Sequence, residues 1–238
     1  MHTHKTNTLP DCQQCKNRKN SLFHFCHLDE VSNISNHKTC SIYKRGQIIF
    51  QEGANPVGLF CINTGKIKLY KYASDGREQI VRIAKPGDFI GYSSLLSGSH
   101  YPISAAALED CTVCMIPKQH ITNLFRTNAR FAENYMKLIC DTLDEGYTKM
   151  ADLAYKPVRG RLAEALLLLH NAYKDPDTNP DGIITVSRED LAALVGTVKE
   201  TVIRILKEFK EDNYLTTRRT DILIKNPKGL VKISELYD

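Results

Sequence analysis

Between residues 42 and 116, short apolar segments alternate with turn signals at the spacing of β-strands. In the segment GKIKLYKY, Ile67 and Leu69 fall on one face and lysines on the other, which is the two-residue period of a half-buried strand. The segment SDGREQIV then supplies a hairpin turn. Many short strands at this spacing predict a β-sandwich or jelly-roll barrel, and we assign residues 39–118 to one domain of this kind.

A different period governs residues 119–156, where apolar residues recur at steps of three and four. This is the pattern of a helix that meets a partner along a narrow seam. It predicts a region for dimerisation, and a helix packed only on its own domain is the alternative. The predicted seam consists of Met136, Ile139, Leu143, Gly146, Met150 and Leu153.

The C-terminal residues 157–238 contain two short helical patterns separated by a turn with glycine. Ser187 opens the first, with Asp190 three residues later in the spacing of a capping box. Thr197 is expected to cap the second, in which apolar residues recur along one stripe. Two such helices, followed by two strands about a turn near Asp221, predict a winged helix-turn-helix domain.

The second helix carries, opposite its apolar stripe, side chains that suit the major groove of DNA. Arg204 matches guanine, Glu200 can accept from cytosine, and Ile203 offers apolar contact to a thymine methyl group. The structural alternative is that Glu200 caps the helix with Thr197 or pairs with Arg204 on an exposed surface. The predicted DNA contacts are Ser187, Arg188, Thr197, Lys199, Glu200, Ile203, Arg204, Lys207, Arg218 and Arg219.

Composition changes this interpretation little. The chain has 238 residues and a net charge of +5, but Lys and Arg only balance Asp and Glu in its C-terminal third, so DNA binding rests on local pattern. Apolar runs are too short to span a membrane and no signal peptide is evident, so we expect a cytoplasmic protein without a membrane partner. Because motifs for phosphate binding, zinc proteolysis and nucleophilic catalysis are lacking, we expect no enzymatic activity.

These motifs resemble those of the CRP/FNR superfamily of bacterial transcription regulators. The segments GKIKLYK and PGDFIG are similar to its β-roll, and SREDLAALVGTVKETVIRILKEF is similar to its helix-turn-helix, including an E-x-x-x-R pair at Glu200 and Arg204. The helix from about Ala129 to Lys156 matches its dimerisation helix. The resemblance implies a homodimer that binds two-fold symmetric double-stranded DNA and contacts RNA polymerase. Ile203 replaces a serine common in the FNR branch, a departure that bears on the half-site.

The resemblance also implies an α+β fold, with an N-terminal β-roll of cyclic-nucleotide-binding type, a long dimerisation helix and a C-terminal winged helix-turn-helix. Relatives that bind cyclic AMP hold its phosphate with a Gly-Glu pair and an arginine. This chain has Tyr92 and Ile103 at those charged positions. Since a buried phosphate needs a cationic partner, we expect no cyclic AMP binding. The candidate ligand-pocket residues are Gly91, Tyr92, Ser93 and Ser104.

Eight cysteines call for an explanation in a chain expected to keep its thiols reduced. The segment CQQCKNRKNSLFHFC lies in the Cys/His-containing arm of residues 1–38 and has Cys12 and Cys15 at metal-ligand spacing, with Cys26 further on. FNR-type oxygen sensors hold a [4Fe–4S] cluster with three N-terminal cysteines and one from the β-roll, where the resemblance places Cys114. The candidate ligands of a [4Fe–4S] cluster or zinc are therefore Cys12, Cys15, Cys26 and Cys114.

The other cysteines are assigned simpler roles. Cys111 should face away from Cys114 on the same strand, and Cys40, Cys61 and Cys140 are interpreted as small buried apolar residues. A thiol-based redox switch, or an arm without a sensing role, remains an alternative to a metal.

The sequence favours a DNA-binding regulator that responds to oxygen or redox state through its β-roll and N-terminal cysteines. One alternative is a transcription factor controlled by a small ligand related to cyclic nucleotides. The other is a metal-binding or Fe–S protein whose helix-turn-helix does not serve DNA.

Overall fold

The computed structural model describes residues 11–235 and divides the chain into two units. The first unit comprises the residues up to 69 together with residues 83–143. The second comprises residues 70–82 and the residues from 144 onwards. Within the described range, every helix is either too short or too polar to cross a membrane.

Eight short strands form the predicted β-roll. They are β1 (Thr39–Tyr43), β2 (Ile48–Phe50), β3 (Gly58–Thr64), β4 (Ile67–Tyr72), β5 (Glu78–Ala84), β6 (Phe89–Ile90), β7 (Ser104–Ala107) and β8 (Cys111–Pro117). One sheet has the order β1-β8-β3-β6 and the other β2-β7-β4-β5, so each sheet joins strands that are distant in sequence. Such pairing of short strands in two sheets is the jelly-roll architecture expected from the turn spacing.

The β-roll encloses an apolar inner core to which both sheets contribute. Strand β8 shows why the alternation matters, because Cys111 and Val113 lie in this core whereas Ile116 packs on the opposite face. The predicted opposite orientation of Cys111 and Cys114 is therefore confirmed, since Cys114 lines a cavity with Ile116. The inner core consists of Phe50, Phe60, Ile62, Ile67, Leu69, Ala84, Ile90, Tyr101, Ala105, Ala107, Cys111 and Val113.

Helices cover the opposite face of the β1-β8-β3-β6 sheet. The N-terminal arm contributes two short 3-10 turns and helix α1 (Leu28–His37). The following helices of this region are α2 (Tyr92–Ser97), α3 (Lys118–Thr127) and α4 (Ala129–Tyr155). Together they bury an outer cluster of Leu22, Phe23, Cys26, Val31, Ile34, Leu59, Phe89, Tyr92, Leu95, Ile116, Ile121, Leu124, Phe131 and Tyr135. The arm is thus part of a packed core, which its polar sequence did not predict.

The C-terminal part of the chain forms the predicted winged helix-turn-helix. Its elements are α5 (Val158–Tyr173), β9 (Ile184–Thr185), α6 (Arg188–Val195), α7 (Lys199–Glu211), β10 (Leu215–Arg218), β11 (Asp221–Ile224) and α8 (Pro227–Glu235). The three strands form one small sheet with β11 at its centre. The α+β fold class inferred from the sequence is confirmed.

Candidate functional site

Helices α6 and α7 meet at a tight turn that the sequence encodes locally. Ser187 Oγ accepts a hydrogen bond from the backbone nitrogen of Asp190 at 2.9 Å and so caps α6, as predicted. Gly196 ends α6 with a φ of 67°, a left-handed conformation that favours glycine. A side chain here would also collide with its surroundings, because a Cβ would lie 2.7 Å from Leu153 Cδ2. Both observations favour glycine at position 196, in the turn between the two helices.

The start of α7 differs from the expectation. Val198, and not Thr197, is the N-cap residue, and no side chain caps the helix. The prediction that Thr197 caps α7 is therefore wrong, because the turn after Gly196 takes one more residue before helical geometry begins. The ion pair of Arg204 is formed with Glu208, at 2.7 Å between Nη1 and Oε1, and not with Glu200. Neither structural alternative for Glu200 is thus formed.

The two faces of α7 are those predicted from its period. The buried stripe consists of Val202, Ile205, Leu206 and Phe209. On the opposite side, the Arg204 side chain is 66% exposed and Ile203 is 47% exposed. Ile203 is apolar but does not belong to the buried stripe. Glu200 and Lys207 are exposed on the same side. This face combines a planar cation, an acceptor and an apolar group, which is the set of chemistries needed to distinguish base pairs in the major groove.

Two arginines of α5 hold the helix-turn-helix in place, and sequence reasoning did not find them. Arg161 Nε donates to the Val195 carbonyl at 2.8 Å and its Nη1 donates to the Lys156 carbonyl at 2.6 Å. Arg159 pairs with two carboxylates of α7. Both positions lie on a helix whose apolar residues dominate its pattern, so no local signal distinguishes them from solvated arginines.

The strands β10 and β11 form the wing. Arg218 and Arg219 are exposed at their connection, and Arg219 has a positive φ of 54°. Arg188 Nη2 donates to the Arg219 carbonyl at 3.0 Å and its Nη1 to the Thr220 carbonyl at 3.4 Å. Arg188 therefore supports the wing turn. Lys199, another predicted contact, pairs with Glu189 of α6.

The candidate residues of a ligand pocket in the β-roll face different surroundings. The Tyr92 hydroxyl hydrogen-bonds to Thr142 Oγ1 of α4 at 2.7 Å, and its ring belongs to the outer cluster. Ser93 is exposed, and Ser104 is buried with its hydroxyl accepting from the Glu52 backbone nitrogen at 2.9 Å. A Cβ at Gly91 would lie 3.1 Å from the ring of Tyr101. Tyr92, Ser104 and Gly91 therefore contact different parts of the domain.

The cysteines of the β1-β8-β3 strands form a row across the sheet. Cys114 pairs in register with Cys40 on one side and with Cys61 on the other. Cys40 and Cys114 are joined by a disulfide. Their interpretation as reduced thiols is therefore wrong for this pair, because the strand register brings their side chains together. Cys140 is exposed rather than buried, which corrects a further expectation.

A small cavity brings several of the cysteines together. Cys12, Cys15, Cys61 and Cys114 all line it, together with Lys38, whose Nζ lies 2.9 Å from Cys12 Sγ. Within residues 11–235, no group of three or more His, Cys, Asp or Glu side chains is already arranged to hold a metal ion. Three of the four predicted ligands are thus neighbours of one cavity.

Cys26, the remaining predicted ligand, lies elsewhere. It is buried in the outer cluster, where burial raises the pKa of its thiol to about 12, and the Glu30 carboxylate adds to this effect. Burial also raises the pKa of the Cys61 thiol well above its usual range, with smaller contributions from Cys15 and Cys12. Cys12 and Cys15 affect the pKa of Cys61 because all three cysteines line the same cavity.

Helix α4 presents an apolar stripe on its surface. Met136, Leu143 and Met150 of the predicted seam are 51%, 52% and 60% exposed. Ile139 and Leu153 are half-buried, Gly146 is exposed, and Cys140 and Tyr147 are exposed beside them. The exposed stripe therefore follows Met136, Cys140, Leu143, Tyr147 and Met150, with the alternating steps of four and three residues found in coiled coils.

Two models of protein families match different parts of this chain. Residues 41–128 match the model of the cyclic nucleotide-binding domain, and residues 160–233 match that of the Crp-like helix-turn-helix domain. The fumarate and nitrate reduction regulatory protein of Escherichia coli (strain K12) is 28% identical over 208 residues, which cover 87% of this chain and 82% of that protein. The corresponding protein of Yersinia pestis is 27% identical over 208 residues, with coverage of 87% and 82%.

Solved structures show the same fold. FixK2 from Bradyrhizobium japonicum has a TM-score of 0.74 at 24% identity, and the match covers 82% of this chain and 96% of that one. The c-di-GMP responsive global regulator CLP of Xanthomonas campestris has a TM-score of 0.69 at 22% identity, with coverage of 83% and 99%. At these identities, the likeness concerns the arrangement of the elements.

Proposed function

Because the chain belongs to the CRP/FNR superfamily of bacterial transcription regulators, we propose that it binds a two-fold symmetric DNA site as a homodimer and that a redox or oxygen signal controls this binding. The observation that carries the DNA-binding part is the exposed face of α7, where Glu200, Ile203 and Arg204 are presented by a glycine-fixed turn. Lys207 and the wing residues Arg218 and Arg219 would contact phosphates. The superfamily resemblance adds RNA polymerase as a further partner.

The experiment that tests this proposal is selection from a randomised duplex library with the reduced, purified protein. We expect the recovered sequences to contain two inverted half-sites separated by about one helical turn, roughly 34 Å, because each subunit would place one α7 in the major groove. Recovery of sequences without two-fold symmetry would contradict the homodimeric binding mode.

The stripe on α4 supports the homodimer and leads to a first prediction. Met150→Asp would place two like charges opposite each other in a two-fold interface, where they cannot be paired. We expect light scattering to show a shift from dimer to monomer. Thr148→Asp is the matched control, since it adds the same charge two residues away on the exposed opposite side of α4 and should leave the dimer intact. A dimer mass unchanged by Met150→Asp would contradict the seam.

Cys140 provides a second, independent test of the same interface. In a parallel pair of helices the residues of the seam oppose their own copies across the two-fold axis. Mild oxidation with a copper–phenanthroline catalyst should therefore cross-link the subunits through the exposed Cys140 thiols. Non-reducing electrophoresis should show a covalent dimer that is lost in Cys140→Ser. A cross-link that survives Cys140→Ser, or none in the wild-type dimer, would place the seam elsewhere.

The cysteines around the cavity support a signal received through sulfur chemistry. Cys12, Cys15 and Cys114 are the predicted ligands that line it, and Lys38 places a positive charge beside Cys12. Thiolate donors suit zinc or an Fe–S cluster. A bound [4Fe–4S] cluster would supply sensitivity to oxygen. The residues of this chain would hold such a group, exclude bulk water from it and offset the charge of its thiolates.

A further inference from the structure

The row of cysteines on the β-roll places three sulfurs on one face of three adjacent strands. Cys114 on the central strand β8 is directly opposite Cys40 of β1 and Cys61 of β3. Directly opposite residues of neighbouring strands carry their side chains on the same face, with Cβ atoms about 4.5–5.5 Å apart. Cys114 can therefore reach a partner on either side, and the choice between them depends on what Cys61 and the N-terminal arm offer.

The arm is fixed over this row by specific contacts. Asn17 Nδ2 donates to the Asn63 carbonyl at 2.7 Å, and Cys15 Sγ lies 3.7 Å from Asn63 Oδ1. Asn63 is two residues after Cys61 on strand β3, so these contacts hold the Cys12–Cys15 pair at the end of the row that contains Cys61. The sulfurs of Cys12, Cys15, Cys61 and Cys114 consequently share one cavity.

The cavity has room for a single ion. Its volume is about 30 Å³, more than the roughly 10–15 Å³ that one water molecule requires. Its lining includes Lys38, whose Nζ lies 2.9 Å from Cys12 Sγ, beside the four cysteines, whereas the Arg18 guanidinium donates to the Phe23 and Cys26 carbonyls. Nearby cations stabilise thiolates, which are the form in which cysteine binds metals.

Cys26 does not take part in this arrangement. It is 5% exposed and belongs to the apolar outer cluster, against which Cys12 and Cys61 also pack, but it does not line the cavity. Its backbone carbonyl accepts from Arg18 Nη2 at 3.4 Å, so even its main chain serves another contact. The long spacing between Cys15 and Cys26 carries the chain from the cavity into this cluster.

We propose that the metal-binding site of this chain consists of Cys12, Cys15, Cys61 and Cys114, with Cys26 outside it, and that Cys40 competes with the metal for Cys114. The sensory role of this site rests on the proposed function, whereas its ligand set rests on the geometry alone. In the disulfide form Cys114 is engaged with Cys40, and the described residues then offer no assembled metal site. Reduction of the disulfide releases Cys114 for the cavity.

The reverse step is an oxidation that balances between named partners. Cys40, as a thiol, and Cys114, as the thiolate bound to the metal, together give up two electrons and one proton when their sulfur–sulfur bond forms and the bond from Cys114 to the metal breaks. A low-molecular-weight disulfide such as oxidised glutathione takes up the two electrons, and its own sulfur–sulfur bond breaks to give two thiols, which take one proton from Cys40 and one from water. This oxidation would remove one ligand and so release the metal.

The test compares two serine variants of the full chain, reduced and handled without oxygen. The proteins are incubated with Zn²⁺ in one experiment and with Fe²⁺ plus sulfide in a second, desalted, and analysed for metal content and absorbance. We expect Cys61→Ser to bind at least tenfold less metal than wild type in whichever experiment gives metal-loaded wild type. Cys26→Ser, the matched control at a buried cysteine, should bind as wild type does.

Three further readouts make the outcome decisive. Metal should protect Cys12 and Cys15 of the wild type from alkylation, and removal of the metal with a chelator should restore their reactivity, a result that does not depend on either variant folding. After treatment with oxidised glutathione, Cys40→Ser should retain metal that wild type loses. If Cys26→Ser loses metal and Cys61→Ser keeps it, the ligand set is overturned. If wild type loads neither metal yet still binds its DNA site, the metal site is overturned and the regulator remains.

Discussion

Arg204→Ala is expected to weaken binding to the selected DNA site by about fivefold to 150-fold, which corresponds to the roughly 1–3 kcal/mol of one bidentate base contact. Glu200→Ala should have an effect of similar size at a different base pair. Both losses should fall on the specific site alone, because phosphates supply the affinity for unrelated DNA. The measurement is a binding series over all single-base variants of the selected site at fixed salt.

The structure explains why Arg204 is available for this role. Its partner in the free protein is Glu208, one turn further along α7, and the two side chains are 66% and 36% exposed. An exposed pair of this kind contributes about 0–1 kcal/mol, so exchanging it for a guanine is inexpensive. Glu200 at the N-terminal end of α7 is available for a second base, since the alternative pairing with Arg204 is not formed.

Lys207→Ala is the matched control on the same face. The Lys207 side chain is 77% exposed, and its Nζ lies 3.9 Å from Glu211 Oε1. This weak, exposed pair leaves the ammonium group able to contact a phosphate. Its loss should weaken all sequences alike and lower the salt dependence by about one unit. If Arg204→Ala and Lys207→Ala give the same profile across base variants, Arg204 contacts only the backbone and the assignment of base recognition to α7 fails.

The helix-turn-helix could be predicted from sequence because its signals are local. The stripe of Val202, Ile205, Leu206 and Phe209 has the helical period, and Ser187 and Gly196 mark the ends of α6 by their own chemistry. The one error, the cap at Thr197, concerns a single residue at a helix end. Boundaries of this kind depend on the turn that precedes the helix, which no periodicity reports.

The cysteines show what local signals cannot give. The pairing of Cys114 with Cys40 and Cys61 depends on strand register between segments far apart in sequence. The arm appears polar and weakly periodic, yet it buries Phe23 and Val31 because the outer face of the β-roll offers them an apolar surface. Spacing alone predicted Cys12, Cys15 and Cys26 as ligands, but it could not show that Cys61 lines the same cavity as the CxxC pair.

Arg161→Ala is expected to destabilise the C-terminal domain by about 2–3 kcal/mol, the range for charged hydrogen bonds whose partners are left partly buried. The Arg161 guanidinium donates to the Val195 carbonyl at the end of α6 and to the Lys156 carbonyl just after α4. Such terminal carbonyls have no partner within their own helix. Burial lowers the pKa of Arg161, with Asp152 opposing this effect, so the group is held in a partly desolvated position.

Urea unfolding followed by circular dichroism would measure this loss, and Arg159→Ala is the matched control. Arg159 lies two residues away and pairs with Glu208 and Asp212 at the surface, where the side chains are 36% to 49% exposed. The Arg159 guanidinium also lies 4.7 Å from the centroid of the Phe209 ring. Its removal should cost less than that of Arg161, about 1 kcal/mol for the exposed ion pairs and about 0.5–1 kcal/mol for the contact with the ring. Arg161→Lys should recover only part of the stability, because an ammonium group cannot reproduce the planar fork that reaches two carbonyls.

DNA binding by Arg161→Ala should fall with the folded fraction while its base preferences stay those of the wild type. Equal losses for Arg161→Ala and Arg159→Ala would show that the carbonyl contacts of Arg161 do not hold α6 in place.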